Sequence, residues 1–404
     1  MPVNVNASSS VKARIGNEFF DTLEEAIAAA NSTDTISLTS NVTLDETLEI
    51  NKNVNINLNK YNIAADERVF LVQGGSLNLS GNGMVIETKP NYGAIMLKGS
   101  DNSTKKDFST ISIGSGITLQ GWSGIFINHQ NKTGYGILVN MNGSINAVND
   151  VSGAPGVGIY VNGNILNKNN SPIINLSDTV KITSTGNGIY AAGYATYNIN
   201  GAYIQGKESG LGIKSGSFNI LGGTIIGSGE DKTPTNGNNN GINPSGTAIQ
   251  IESNPGYAGS IELNIKNGII ESKNSNVIYE YVINDGLTQV KNINITGGSY
   301  ISKVGKDVFL LSSNFKNTHK NFISGGTYSS DPTNYLKSGY STVLTENSIY
   351  NVVDSTMSVF VDKKINNNNS FKLMTLIIFP LIIGIIIYLN RRKLIDLINS
   401  IRNR

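Results

Sequence analysis

The 404-residue chain has no cysteine, which excludes disulfide staples, thiolate metal sites and a cysteine nucleophile. Histidine is nearly absent. His129 in NHQNKTG and His319 in NTHKN are the only two. They are isolated in loop-like sequence, so neither a histidine metal centre nor a histidine general base is expected. No arginine occurs between Val69 and Asn390, and the chain has no D-D or D-x-D pair. Adjacent acids occur only at Glu24/Glu25, Asp45/Glu46, Asp66/Glu67 and Glu230/Asp231, and one such pair offers too few oxygens for a calcium site. Neither a G-x-S-x-G elbow nor a phosphate loop is present. No cofactor or metal is expected. Charge is scarce too, at 15 % of residues with a net charge of +2. Five of the 31 basic residues but only one of the 29 acids lie in the last fourteen positions, so the remainder holds 26 and 28. A near-neutral body without a basic stripe argues against nucleic acid as a partner.

What fills the chain instead is glycine, with 44 residues, and asparagine, with 57. Both suit turns and left-handed backbone positions. The stretch NINITGGSYISK (292–303) shows the pattern: alternation, a Gly-Gly break, then alternation again. It recurs as YNINGAYIQG from Tyr197, FNILGGTIIGS from Phe218, LNIKNGIIESK from Leu263 and FISGGTYSS from Phe322, with Ile199, Ile220, Ile265, Ile295 and Ile323 in its first apolar position. A second motif alternates with it. This is a short apolar strand anchored at Phe70, Ile95, Ile125, Ile159, Ile189, Ile213, Ile249, Ile278 and Phe309, in steps averaging about 30 residues.

Strands of three to five residues with period-two alternation, separated by Gly/Asn/Ser turns, could form a sandwich or barrel. The regular recurrence favours a solenoid, in which extra length swings out as loops such as TPTNGNNNGINPSG (233–246). A right-handed parallel β-helix of about nine to eleven coils is therefore expected, all-β, with aliphatic side chains stacked about 4.8 Å apart and asparagines free to form amide ladders along the stack. Both ends carry sequence suited to capping. Thr22-Leu23-Glu24-Glu25 predicts a capping box opening a helix over Leu23–Ala30. Tyr335, Leu336, Tyr340, Val343 and Leu344 break the repeat before Ile349–Val353 resumes as a strand.

If the anchor residues point inward, the next residue of each strand points outward. That row holds Met96, Phe126, Tyr160, Tyr190 and Tyr279, with Leu71 and Leu310 at its ends and Trp122 alongside. Aromatics one strand apart on a surface can stack on sugar rings. Phe126, Tyr160, Tyr190, Tyr279 and Trp122 are thus the candidate ligand-binding residues. Longer turns folding over this row, or the opposite strand parity, would hide it.

Leu373–Leu389 reads LMTLIIFPLIIGIIIYL, seventeen residues without a charge. As a helix it would cover roughly 25 Å, slightly less than a hydrocarbon core, with Lys372 and Arg391 reaching outward at its ends. Arg391, Arg392 and Lys393 follow directly, so the positive-inside rule puts the C-terminus in the cytoplasm and the body outside. Export needs a signal, and MPVNVNASSS has no apolar stretch, although Val5-Asn6-Ala7 has the form of a cleavage-site end. The expected layout is a signal remnant at 1–12, a cap and first coil at 13–63, repeats at 64–322 and a C-terminal cap at 323–361. A linker at 362–372, a transmembrane helix at 373–389 and a basic tail at 390–404 complete it.

The opening run ARIGNEFFDTLEEAIAAANSTDTISLTSNVTLDETLEINKNVNINLNKYNI (13–63) resembles that of bacterial surface proteins with a pectate-lyase-like, adhesin-type β-helix. The closing ISGGTYSSDPTNYLKSGYSTVLTENSIYNVV (323–353) is similar to their terminal repeat. Lys60 replaces the last glycine of their "LNG" motif, and a membrane span replaces wall attachment. The resemblance implies an exported, surface-displayed adhesive or glycan-associated module with a glycan or host-surface ligand as partner; the span and the basic residues after it place it on a bacterial cell membrane, single-pass, with its body extracellular. Two alternatives stand beside it. One is an anchored polysaccharide lyase or glycoside hydrolase, for which two carboxylates about 5–9 Å apart would have to meet across neighbouring coils. The other is a spacer that binds nothing.

Overall fold

The structure is a computed structural model that describes residues 11–99, 108–128, 136–163, 171–233, 244–283 and 287–356. Residues 1–10 of the expected signal remnant at 1–12, the span at 373–389 with Lys372, Arg391, Arg392 and Lys393, the basic tail and His129 all lie outside these residues, whereas Lys12 is bonded into the first strands through Phe20 and Thr39. Among the described residues no helix is long and apolar enough to cross a membrane.

The described chain is all-β apart from short helical turns. Its strands form one 23-stranded sheet and one ten-stranded sheet. A typical passage runs Ser109–Ile113, Ile117–Gly121 and Ser123–Asn128; the next runs Ile137–Met141, Ser144–Ala147 and Val157–Asn162. The first two strands of each passage join the larger sheet and the third joins the ten-stranded one, every strand pairing in parallel with its counterpart in the next passage. We call each passage a lap. The ten-stranded sheet keeps strict chain order from Leu48–Ile50 to Phe309–Leu311, the pattern of a chain that returns to the same sheet once per lap.

Period-two alternation decides what each lap buries. One inward file of the larger sheet runs Ile36, Ile56, Leu79, Ile113, Met141, Leu176, Ile199, Ile220, Ile265, Ile295 and Ile323, each in register with the next. All are buried. A second file ends in aromatic rings, with Tyr300 stacked on Tyr328 at 4.7 Å. The third file is the anchor series of the ten-stranded sheet. It begins one lap earlier than the sequence suggested, at Leu48, and it passes through Leu211 rather than Ile213. Ile213 lies two residues on in the same strand, also inward, beside Ala191 and Ile251.

The Gly-Gly breaks are the corner between the first and second files. Gly223 has φ +103°, and a Cβ there would come within 2.3 Å of the Ala202 carbonyl oxygen, so only glycine fits the bend. Gly298 and Gly326 stack at the same corner with φ +98° and +103°.

Both ends depart from the parallel pattern. At the first end, helix α1 spans Leu23–Ala29 behind the predicted box: the Thr22 side chain accepts from the Glu25 N–H, and the Glu25 side chain accepts from the Thr22 N–H. Leu23, Ala26 and Ala30 are buried, and Lys52 Nζ closes the helix by donating to the Ala28 and Ala30 carbonyls at 3.1 and 3.0 Å. At the other end, Tyr340–Leu344 and Tyr350–Asp354 form an antiparallel hairpin laid against Thr327–Tyr328.

Candidate functional site

The outer face of the ten-stranded sheet carries the residues singled out from the sequence. Leu71, Met96, Phe126, Tyr160 and Tyr190 follow one another in register, then Gly212, Gln250, Tyr279 and Leu310. The row exists, but Gly212 and Gln250 divide its aromatics. Phe126, Tyr160 and Tyr190 form one stack, with centroids 4.8 Å apart at each step and planes within 10°. Tyr279 sits three strands beyond Tyr190, beside Tyr281 at 5.5 Å.

The outward phase alone would leave the row exposed, with longer turns folding over it as the alternative. Tyr190 is instead 3 % exposed and Met96 6 %, while Phe126, Tyr160, Tyr279 and Trp122 are half-buried. Tyr190 packs in a small apolar cluster with Val157 and Ala192, and Trp122, Tyr160 and Tyr257 close around it. The stack also determines what a ligand would meet. Phe126 and Tyr190 cover the two faces of Tyr160, so the tyrosine offers its edge and hydroxyl, not a face. Trp122 is tilted by 50° to Tyr160 at 5.3 Å, and its indole N–H donates to the Pro155 carbonyl at 3.1 Å. Burial pushes the Tyr160 hydroxyl up to about 12, with Tyr257 adding to it, and pushes Tyr190 higher still. Both are neutral donors at any physiological pH.

Two buried polar arrangements beneath this face had no counterpart in the sequence reading. Glu87 is 1 % exposed and accepts from the backbone N–H groups of Asn91, Tyr92, Gly93 and Trp122. It occupies the inward parity of its strand, in phase with Val85, and that phase was the available signal. It sets the backbone under Trp122 and shapes the turn at 91–93. The second arrangement centres on Lys214 and Glu252, 0 % and 2 % exposed, with Nζ 2.8 Å from Oε1. Tyr281 donates to the other Glu252 oxygen at 2.7 Å, and Gln250 donates to the Tyr281 hydroxyl at 3.0 Å. The Tyr257 ring lies 4.5 Å and the Tyr190 ring 5.7 Å from Lys214 Nζ. Pairing and hydrogen bonding on this scale are what a buried ion pair requires.

The remaining candidates are dispersed. His319 caps the short helix Ser313–Thr318 (α2), stacks on Phe315 at 4.7 Å and shares a hydrogen bond with Thr318. Stacking of laps brings Asp45 and Glu46 next to Asp66 and Glu67, and with Arg68 they line a pocket of about 360 Å³. Asp66 is held below its ordinary range by its bond to Lys89, with Thr88 helping. Asp231 likewise bonds Lys306 and Ser275. Among the described residues no group of three or more His, Asp or Glu could hold a metal ion. Compared with family models, with curated proteins and with solved structures, the chain finds no match in any of the three.

Proposed function

We propose that the chain is a membrane-anchored, surface-exposed module, its laps wound as a right-handed parallel β-helix, that binds glycan or another cell-surface ligand without catalysing a reaction. The observation that carries this reading is the half-exposed group of Trp122, Phe126 and Tyr160 on the outer face of the ten-stranded sheet. Ring edges, one neutral phenol and a tilted indole suit the mixed C–H and hydroxyl surface of a sugar. The near-neutral body favours an uncharged ligand over a polyanion. The apolar segment 373–389 and the basic residues after it supply the anchor and its orientation.

The test is a glycan array with purified full-length protein in detergent, beside the Trp122→Ala and Tyr160→Ala variants. Wild type is expected to bind at least one class of neutral glycan. Trp122→Ala should weaken that binding about tenfold or more, equivalent to about 1.4 kcal/mol, with the fold intact because Glu87 grips the Trp122 backbone and not its ring. A silent array for wild type favours a spacer. Product release from uronate or neutral polysaccharides, abolished by one carboxylate substitution, would replace binding with catalysis.

A further inference from the structure

We propose that Lys214 and Asn254 become joined by an intramolecular isopeptide bond, with Glu252 as the proton carrier. Strand register sets up the site. Ile213 pairs with Ile251, so Lys214 and Glu252, the next residues along, are cross-strand neighbours, and Asn254 follows two positions later. The three are 0 %, 2 % and 3 % exposed. Lys214 Nζ lies 2.8 Å from Glu252 Oε1, and Asn254 Nδ2 donates to that same oxygen at 2.9 Å. Two nitrogens held on one oxygen at these distances are at most 5.7 Å apart, so amine and amide share one buried pocket, and rotation of the two side chains is the motion that brings the amine onto the amide carbon. Asn254 Oδ1 accepts the Gly256 N–H at 2.9 Å, a donor placed where negative charge would develop. Tyr190 and Tyr257 wall the amine, and Tyr281 orients the carboxylate from its far oxygen.

The chemistry follows from burial. An ion pair this deep is costly to hold charged, and passing one proton from Nζ to Oε1 neutralises both partners. The free lone pair of Nζ attacks Asn254 Cγ, forming a C–N bond and sending the carbonyl electrons to Oδ1. Collapse of that intermediate breaks the Cγ–Nδ2 bond. Glu252 gives its proton to the departing nitrogen and takes the surplus proton from Nζ. The balance is amine plus primary amide to secondary amide plus ammonia, with no oxidant and no cofactor. The product is a covalent tie between neighbouring laps, independent of any ligand on the aromatic face.

Tryptic digestion of the purified full-length protein and tandem mass spectrometry test it. The expected species is peptide 208–232, uncleaved at Lys214, branched onto peptide 233–266 and lighter than the two together by one ammonia. Glu252→Gln and Lys214→Arg should lack the branched species while keeping the wild-type circular dichroism spectrum. Wild-type protein cleaved at Lys214 with both peptides at unmodified mass would overturn the proposal. So would ammonia loss confined to 233–266 without a branch, or a branch that persists in Glu252→Gln.

Discussion

At the scale of single residues, Tyr197 and Glu208 are groups whose burial opposes folding. Tyr197 is fully buried, its ring stacked on Phe218 at 4.2 Å, yet its hydroxyl finds no partner among the described residues. An unpaired buried hydroxyl costs about 1–3 kcal/mol. Tyr197→Phe keeps the stack and removes that cost, so it should stabilise the protein by about 1 kcal/mol, read as a higher urea midpoint at unchanged slope. Glu208 is the second. Burial raises its pKa from 4.5 to about 7, partly offset by Lys232. Its carboxylate lies over Gly186, where a Cβ would come within 3.2 Å of Oε2. Between pH 4.5 and 7 the folded chain keeps a proton that the unfolded chain has released. Stability therefore falls as pH rises through that window, by up to about 3 kcal/mol, and is level above it. Glu208→Gln should flatten the profile. Urea unfolding at pH 4.5, 6 and 8 checks it, and an equal slope in both proteins would show that Glu208 is not the group responsible.

At the scale of elements, asparagine does on the outside what isoleucine does within. Asn140, Asn175, Asn198, Asn219 and Asn264 occupy one file, each amide after Asn140 donating to the side-chain carbonyl oxygen of the residue one lap before it, at 3.0, 2.9, 3.0 and 3.3 Å. Lys337 of the closing segment ends the file on Asn294. Asn198→Ala removes a donor and an acceptor from the middle of the ladder and should cost about 1–2 kcal/mol. Asn264→Ala, which loses the longest bond, should cost less. Urea titration of both against wild type gives the comparison. The ladder, the strands and the α1 cap were readable from sequence because each rests on local periodicity or on a four-residue signature. Two kinds of feature were not. Leu211 and Ile213 share a parity, and alternation alone cannot choose between residues two apart, so the lap register was misplaced there by one pair. Alternation also tells which side of a sheet a residue faces, not what later folds over it. Tyr190, Lys214 and Glu252 have the outward phase of solvated residues, and they are buried because residues from 254 to 257 pack over them. Lys60 is a quieter case. It stands where the resembling family has glycine, and it adopts φ +72°, so the glycine-like backbone persists with a side chain in its place.

At the scale of the whole molecule, stacking is open-ended, and what terminates it decides whether the protein stays monomeric. Ten strands at about 4.8 Å make the smaller sheet about 43 Å long, with an unpaired backbone row at each end unless something covers it. The larger sheet closes with reversed strands at both ends, Ala13–Ile15 against Glu18–Phe20 and Thr35–Leu38 at one, the hairpin on Thr327–Tyr328 at the other. The second closure shields a sticky terminus: Tyr300 and Tyr328 are fully buried, and Phe309, Phe322 and Tyr335 pack against one another and around them. Val343 pairs with Asn351 in the middle of the hairpin, in the hydrogen-bonded phase fixed by the Thr345 N–H on the Ile349 carbonyl and the Ser355 N–H on the Gly339 carbonyl, so Val343→Pro removes a ladder donor and bends the strand away. The repeats beneath should remain folded, because each lap depends mainly on its neighbours. The uncovered edge and aromatic cluster would then be free to pair with another copy. Val343→Pro is therefore expected to keep a wild-type-like far-UV spectrum while moving to higher mass in multi-angle light scattering as concentration rises. A variant that stays monomeric at every concentration would place the barrier to end-to-end association elsewhere in the chain.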